Sequence, residues 1–348
     1  MEINREILKL ARESRGLNQK ELSALLGIEQ GTLSKIENEF LSIDNDFIQS
    51  VSKVLEYPES FFYQKWNVHT VQGHFRKKAS LTVKEVKKYE SRMTIIEWHL
   101  EKLLEAVELP PINLPSWDCT FDGSPDMAAN FLRQYWKVPR GRIENITKLV
   151  EDNGIVVISI DLGDLDGFSM FSNSGVPVIF ANKNVPGDRF RFIIAHELFH
   201  LILHFAKKVD ASRDTEEEAH LGGNEFLIPS SEIRPHLTKL SIEKLAELKT
   251  YWKVSMQAIL VKSYKQLGIT TKNQYHYLYK QMSFLGYRKN EPVFVPVEVP
   301  TLIKEIIDYH LQDLGYTKNE LSQLLHVTDK DLNSTYFDNL RFLPHRSA

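Results

Sequence analysis

The chain has 348 residues, 42% hydrophobic and 26% charged, with a net charge of −3, twelve histidines and one cysteine. This length accommodates two or three domains with cores of their own, and so small a net charge offers no global attraction to nucleic acid or a membrane surface. A lone cysteine excludes an internal disulfide, and no apolar targeting stretch opens the sequence, so a cytoplasmic protein is expected.

Residues 1–65 read as short helices over Asn4–Ser14, Gln19–Leu26, Gln30–Glu37 and Asn45–Leu55, the last ending before Tyr57-Pro58. Eight Lys and Arg in this region stand against eleven Asp and Glu. A basic stretch, Phe75-Arg76-Lys77-Lys78, leads into a long helix that Pro110-Pro111 ends. Along that helix Val86, Tyr89, Met93, Ile96, Leu100, Leu103 and Val107 repeat at 3-4 spacing, a heptad seam. Such a seam serves either as a packing face for the chain's own domains or as a homodimer interface.

After a Pro-containing linker, helices are expected over Met127–Trp136 and Ile143–Asp152, then strands at 154–160, 167–171 and 176–182 between Gly, Asp, Ser and Asn turns. The next segment, "DRFRFIIAHELFHLILHF" from 188, reads as a helix with Asp188 as its N-cap. It is the longest apolar stretch, and its Glu and His residues exclude a membrane span. From about residue 213 the pattern is helical, apart from an extended "PVFVPVEVP" at 292–300. "LGYTKNELSQLLHVTDKDL" (314–332) aligns without gaps on "RGLNQKELSALLGIEQGTL" (15–33), sharing Gly, Glu, Leu, Ser and a Leu-Leu pair. Its Asp329 and Asp331 fall where a reading helix would face phosphate, so packing or partner binding is expected of it. The predicted fold is mainly α around an α+β zincin-like core. Its units are 1–65, a helical linker 66–124, a core 125–230, a helical extension 231–290 and a C-terminal helical unit 291–348.

On a helical wheel the helix from 188 is apolar on nearly every side, while His196, Glu197, His200 and His204 gather in a sector about 100° wide. Burying these polar groups together is costly without strong partners. Core histidines satisfied by hydrogen bonds are the bland explanation. The H-E-x-x-H spacing favours zinc: His196 and His200 present two imidazoles on one face, and Glu197 can serve water as general base. His204 is a poor third ligand, because positions i, i+4 and i+8 span about 12 Å on a straight helix. In "TEEEAHLGGNEFLIP" (215–229), Glu216, Ala219, His220, Gly223 and Leu227 share a face suited to packing on the metal helix. Glu217, Glu218 and Glu225 point elsewhere, toward solvent. Glu216 is therefore the expected third ligand, and His220 a supporting or catalytic group.

These residues, with Gly154-Ile155-Val156-Val157, Asp166-Gly167-Phe168-Ser169, Arg191-Phe192 and Phe226-Leu227-Ile228-Pro229, make 125–290 resemble the ImmA/IrrE metallopeptidase family. The resemblance implies a gluzincin-like fold, two His and a Glu on zinc, and a peptidase that often cuts a partner repressor. His220 and Gly222-Gly223 stand where that family has Asn or Asp and a Phe-Ala pair.

"LNQKELSALLGIEQGTLSKIEN", with Gln19 at a helix start, Ser23, turn Gly27 and Ser34 to Glu37, resembles the lambda-repressor-like (XRE) helix-turn-helix class. That resemblance implies Gln19 against phosphate and Gln30, Thr32, Ser34 and Lys35 on the reading helix in the major groove. The whole chain then reads as a homodimeric regulator binding a specific double-stranded DNA operator, with a zinc peptidase cleaving a repressor or other partner protein. The alternative is a non-catalytic repressor or antitoxin whose zincin fold senses a signal or binds a partner such as a toxin.

Overall fold

The computed structural model describes residues 3–66, 81–205, 210 and 212–337; the basic stretch at 75–78 lies outside them. Four helices open the chain: α1 Arg5–Ser14, α2 Gln19–Leu26, α3 Gln30–Glu37 and α4 Asn45–Leu55. Asn4, Asn18 and Asp44 cap α1, α2 and α4 by accepting from first-turn backbone N–H groups. Asn18 and Glu21 complete a reciprocal capping box, and Gly27 closes α2 at φ 68°, where a Cβ would be strained. Ile7, Leu8, Leu22, Leu33, Ile48 and Val51 form the core beneath.

The long helix α5 (Val83–Leu104) begins at a second capping box, Thr82 with Glu85. Tyr89, Met93, Ile96, Leu100 and Leu103 pack with Phe168, Val178 and Phe180 and with C-terminal Leu302, Ile306 and Ile307. On another face, Ile95 and Trp98 enter the N-terminal core. The heptad seam is therefore filled by this chain's own domains, and the homodimer use of that seam is corrected. Periodicity reported an apolar stripe; the sheet and the C-terminal helices cover it.

Helices α6 (Pro125–Tyr135) and α7 (Ile146–Glu151) precede strands β1 (Val156–Ile160), β2 (Gly167–Phe171) and β3 (Pro177–Asn182). The sheet order is β1-β3-β2, with β1 parallel and β2 antiparallel to β3. Ile158, Phe180 and Phe168 stand abreast in the register and pack toward α5. Val157, Ile179 and Ala181 face the other way, alternation that a sheet covered on both sides requires. That second face meets α8 (Gly187–His204). Asp188 is not the N-cap: it lies inside the helix, which Pro186 precedes, and its carboxylate accepts from Lys249 Nζ at 2.7 Å.

Then come α9 (Thr215–Leu227), α10 (Ser230–Ile233), α11 (Ile242–Trp252), α12 (Met256–Val261) and α13 (Lys272–Phe284). Segment 292–300 is extended without pairing in the sheet. From it Glu298 forms an ion pair with the fully buried Arg191 of α8, tying the segment to that helix. The C-terminal unit is α14 (Leu302–Gln312), α15 (Lys318–Leu324) and α16 (Asp329–Leu332). Among the described residues no helix is long and apolar enough to cross a membrane. The architecture is mainly α with a small α+β core.

Candidate metal centre and nucleic-acid interface

Helix α8 is buried along almost its whole length, with Ile194, Ala195, Leu198 and Phe199 fully enclosed. Helix α9 approaches it closely because two positions carry no side chain. A Cβ on Gly223 would lie 3.0 Å from the backbone of Ala195 and His196, and one on Gly222 2.2 Å from the Phe199 ring. This contact explains the Gly222-Gly223 pair and carries Glu216 to the two histidines.

His196 Nε2 lies 3.0 Å from His200 Nε2, 3.4 Å separates it from Glu216 Oε2, and His200 Nε2 is 3.5 Å from Glu216 Oε1. Tetrahedral zinc with bonds of about 2.0–2.1 Å sets neighbouring donors about 3.3 Å apart. The three side chains form such a triangle, the expected ligand set brought together. Buried Glu216 Oε2 has no hydrogen-bond partner, which suits a cation between the three groups. Burial alone would raise the Glu216 carboxyl; His196 and His200 more than reverse this and hold it well below the usual carboxylate range.

The support for His200 is a chain of contacts. Arg213 donates twice to Glu218, at 2.8 and 2.6 Å. Burial raises the Glu218 carboxyl, but Arg213 and His204 outweigh it and keep it ionised. Carboxylate Glu218 accepts from His204 Nε2 at 2.9 Å, so a neutral His204 has Nδ1 free to accept from His200 Nδ1 at 3.0 Å. That tautomer leaves the His200 Nε2 lone pair facing His196 and Glu216. Glu218 thus does not point to solvent, as its wheel position implied. Neither does Glu225, which is buried against Lys262 Nζ at 2.6 Å and binds Ser230. Glu217 is exposed.

Glu197 is buried beside the triangle and accepts from Ser169 Oγ of β2 at 2.8 Å. Burial pushes its carboxyl up, against the pull of His200, His196 and Ser169. Ser169 was legible only as part of a family stretch; nothing in the sequence paired it with Glu197. A cleft of about 40 Å³ lies over Glu197 and His196, walled by Asp166, Gly167 and Phe192. His220 stands outside the triangle, its ring 5.0 Å from that of Phe192, on a larger groove that reaches the 287–295 segment.

In the N-terminal domain Gln19 donates to Glu37 at 2.8 Å and Gln30 donates to Gln19 at 2.9 Å. Arg12 holds Glu37 from the other side with two bonds, at 2.6 and 3.0 Å. The starts of α2 and α3 are thereby locked together, with Gln30 and Lys35 exposed and Thr32 and Ser34 half-buried on the reading helix.

Residues 150–264 match the IrrE N-terminal-like domain family, and residues 8–62 match the helix-turn-helix family. None of the curated proteins matches the chain. The chain thus carries an XRE-type helix-turn-helix domain followed by an IrrE-like metallopeptidase-family domain.

Proposed function

We propose that this chain is a transcription regulator, acting as a homodimer on a specific operator. In this reading its second domain holds one zinc through His196, His200 and Glu216 and cleaves a partner protein, a repressor or a toxin. The observation that carries the reading is the donor triangle with Glu197 beside it. When bound, zinc supplies Lewis-acid chemistry that polarises a peptide carbonyl and makes water a competent nucleophile near neutral pH. Glu197, steadied by Ser169, accepts the proton of the attacking water and returns it to the leaving amine. His220, on the neighbouring groove, donates to the developing oxyanion.

One observation favours a second, non-catalytic reading, in which the domain senses a signal or binds a toxin as an antitoxin. The 40 Å³ cleft over Glu197 has space for a few waters, not for a peptide residue. Glu197→Gln separates the two. In the peptidase reading it keeps about one zinc per chain and full DNA binding while cleavage falls about 10²–10⁴-fold. His196→Ala loses zinc as well, and Glu218→Gln weakens zinc affinity about 10–100-fold by releasing His204 and His200. Zinc analysis of the purified variants and a reporter strain measure these effects. A Glu197→Gln strain that behaves as wild type while His196→Ala fails overturns the peptidase reading.

A further inference from the structure

A groove of about 810 Å³ runs between α1, the start of α2 and the start of α5, and both Gln19 and Gln30 line it. Its bases are Arg5, Lys9, Arg12, Lys20, Lys84 and Lys87, against three acids. This local balance is opposite to that of residues 1–65, where acids outnumber bases. Two of the six bases, Lys84 and Lys87, come from α5, outside the helix-turn-helix.

The groove's acids are largely spoken for. Glu37 is held by Arg12 and Gln19, and Glu13 lies 3.5 Å from Arg12 and 3.8 Å from Lys87. Lys84 Nζ lies 2.5 and 2.7 Å from the two Glu21 oxygens. Both lysine side chains are about half exposed, at 47% and 52%. Exposed pairs of this kind are worth about 0–1 kcal/mol, so a phosphate can take either ammonium at little cost.

We infer that Lys84 and Lys87 of α5 bind the DNA phosphate backbone alongside the start of α2, making α5 part of the DNA interface. The inference rests on the proposed operator binding and adds to it a site outside the helix-turn-helix. Phosphate contacts of this kind position the protein and carry no sequence information. They supply the electrostatic attraction that an acidic N-terminal domain lacks.

The test uses the full-length chain with two duplexes of equal length, one selected by the wild type from a random library and one unselected. Affinity is measured from 50 to 200 mM salt. A Lys84→Ala/Lys87→Ala variant is compared with its parent in a Glu21→Gln background, so that no freed carboxylate repels DNA. Gln keeps the capping box of α2. The variant is expected to bind both duplexes about tenfold or more weakly, with the salt slope reduced by about 1.8, or about 0.9 per lost contact. Lys53→Ala, on α4 and outside the groove, leaves the slope unchanged. An unaltered slope in the lysine variant, or a loss confined to the selected duplex, overturns the inference while the DNA-binding reading stands. A wild type that selects no duplex overturns both.

Discussion

Residues 15–33 and 314–332 build the same local structure and present different surfaces. In each, a side chain before the middle helix closes a capping box: Asn18 with Glu21, and Thr317 with Glu320. Leu22 and Leu321 are fully buried one position on, as are Leu33 and Leu332 at the end of the pattern. Ser23 and Ser322 each bond the carbonyl three residues back. Even the turn agrees, with His326 at φ 49° where the first copy has Gly27 at φ 68°. Gln30 and Thr32, however, correspond to Asp329 and Asp331. The first copy leaves its reading helix beside an open groove. The second turns Asp331 onto Arg15 of the first, with contacts of 3.0 and 2.5 Å. Buried positions and caps carry the shared fold; two exposed positions separate a DNA-facing helix from a docking one.

The sharpest break of this comparison moves the acids. Gln30→Asp with Thr32→Asp places two carboxylates where the proposed reading puts base edges and phosphates. Each lost contact costs about 1–3 kcal/mol, so operator affinity should fall about 100-fold or more. Stability should hardly change, since Gln30 is exposed and Thr32 half-buried. The reverse exchange, Asp329→Gln with Asp331→Thr, should confer no DNA binding. Gel-shift titration of both variants checks the pair, and an operator affinity kept by the first would remove α3 from the interface.

What the sequence made legible follows the same division. The polar sector of the metal helix, and Glu216 among three consecutive glutamates, could be read because each helix's own periodicity decides which residues share a face. Periodicity says nothing of what stands opposite. Glu218 and Glu225 were read as solvated because Arg213, His204 and Lys262 reach them only through tertiary packing. The stripe on α5 was visible, but whether a second chain or the sheet would fill it was not. Ser169 and the lysines of the α5 groove belong to the same class, given meaning by neighbours distant in sequence.

A smaller effect probes the junction where the second copy docks. His99 of α5 is buried, bonded through Nδ1 to the Tyr336 hydroxyl at 2.9 Å. Burial pushes its imidazole down from 6.5 to about 3, with His326 pulling the same way and Asp331 opposing. Burial and Lys102 also lower His326. Below pH 6.5 the unfolded chain takes up a proton that the folded chain refuses, so stability falls as pH drops from 6.5 toward 3. One such proton is worth about 1.4 kcal/mol per pH unit. Urea unfolding followed by tryptophan fluorescence, with Trp98 stacked on His326, should show this slope between pH 6.5 and 5. His99→Asn should flatten it, and an equal slope in that variant would place the titrating group elsewhere.

The least costly break is the ion pair itself. Arg15 and Asp331 side chains are 26% and 20% exposed, and the pair is bidentate. Arg15 also donates to the carbonyls of Leu55 and Glu56 and stacks on Tyr57 at 4.3 Å. Asp331→Asn therefore removes a charge partner without orphaning the guanidinium, and the expected loss is about 1 kcal/mol. The nearby Lys330–Glu56 pair is more open, at 73% and 52%, so Lys330→Ala should change stability by less than about 0.5 kcal/mol. Amide exchange over α15 and α16 reads both: about fivefold faster for Asp331→Asn, where opening is local, and unchanged for Lys330→Ala. Operator binding should survive either substitution, because this contact lies on the docking side of the first copy and not on its reading helix. Equal acceleration in the two variants would mean that charge at the junction, rather than the paired geometry of Asp331 with Arg15, holds the second copy in place.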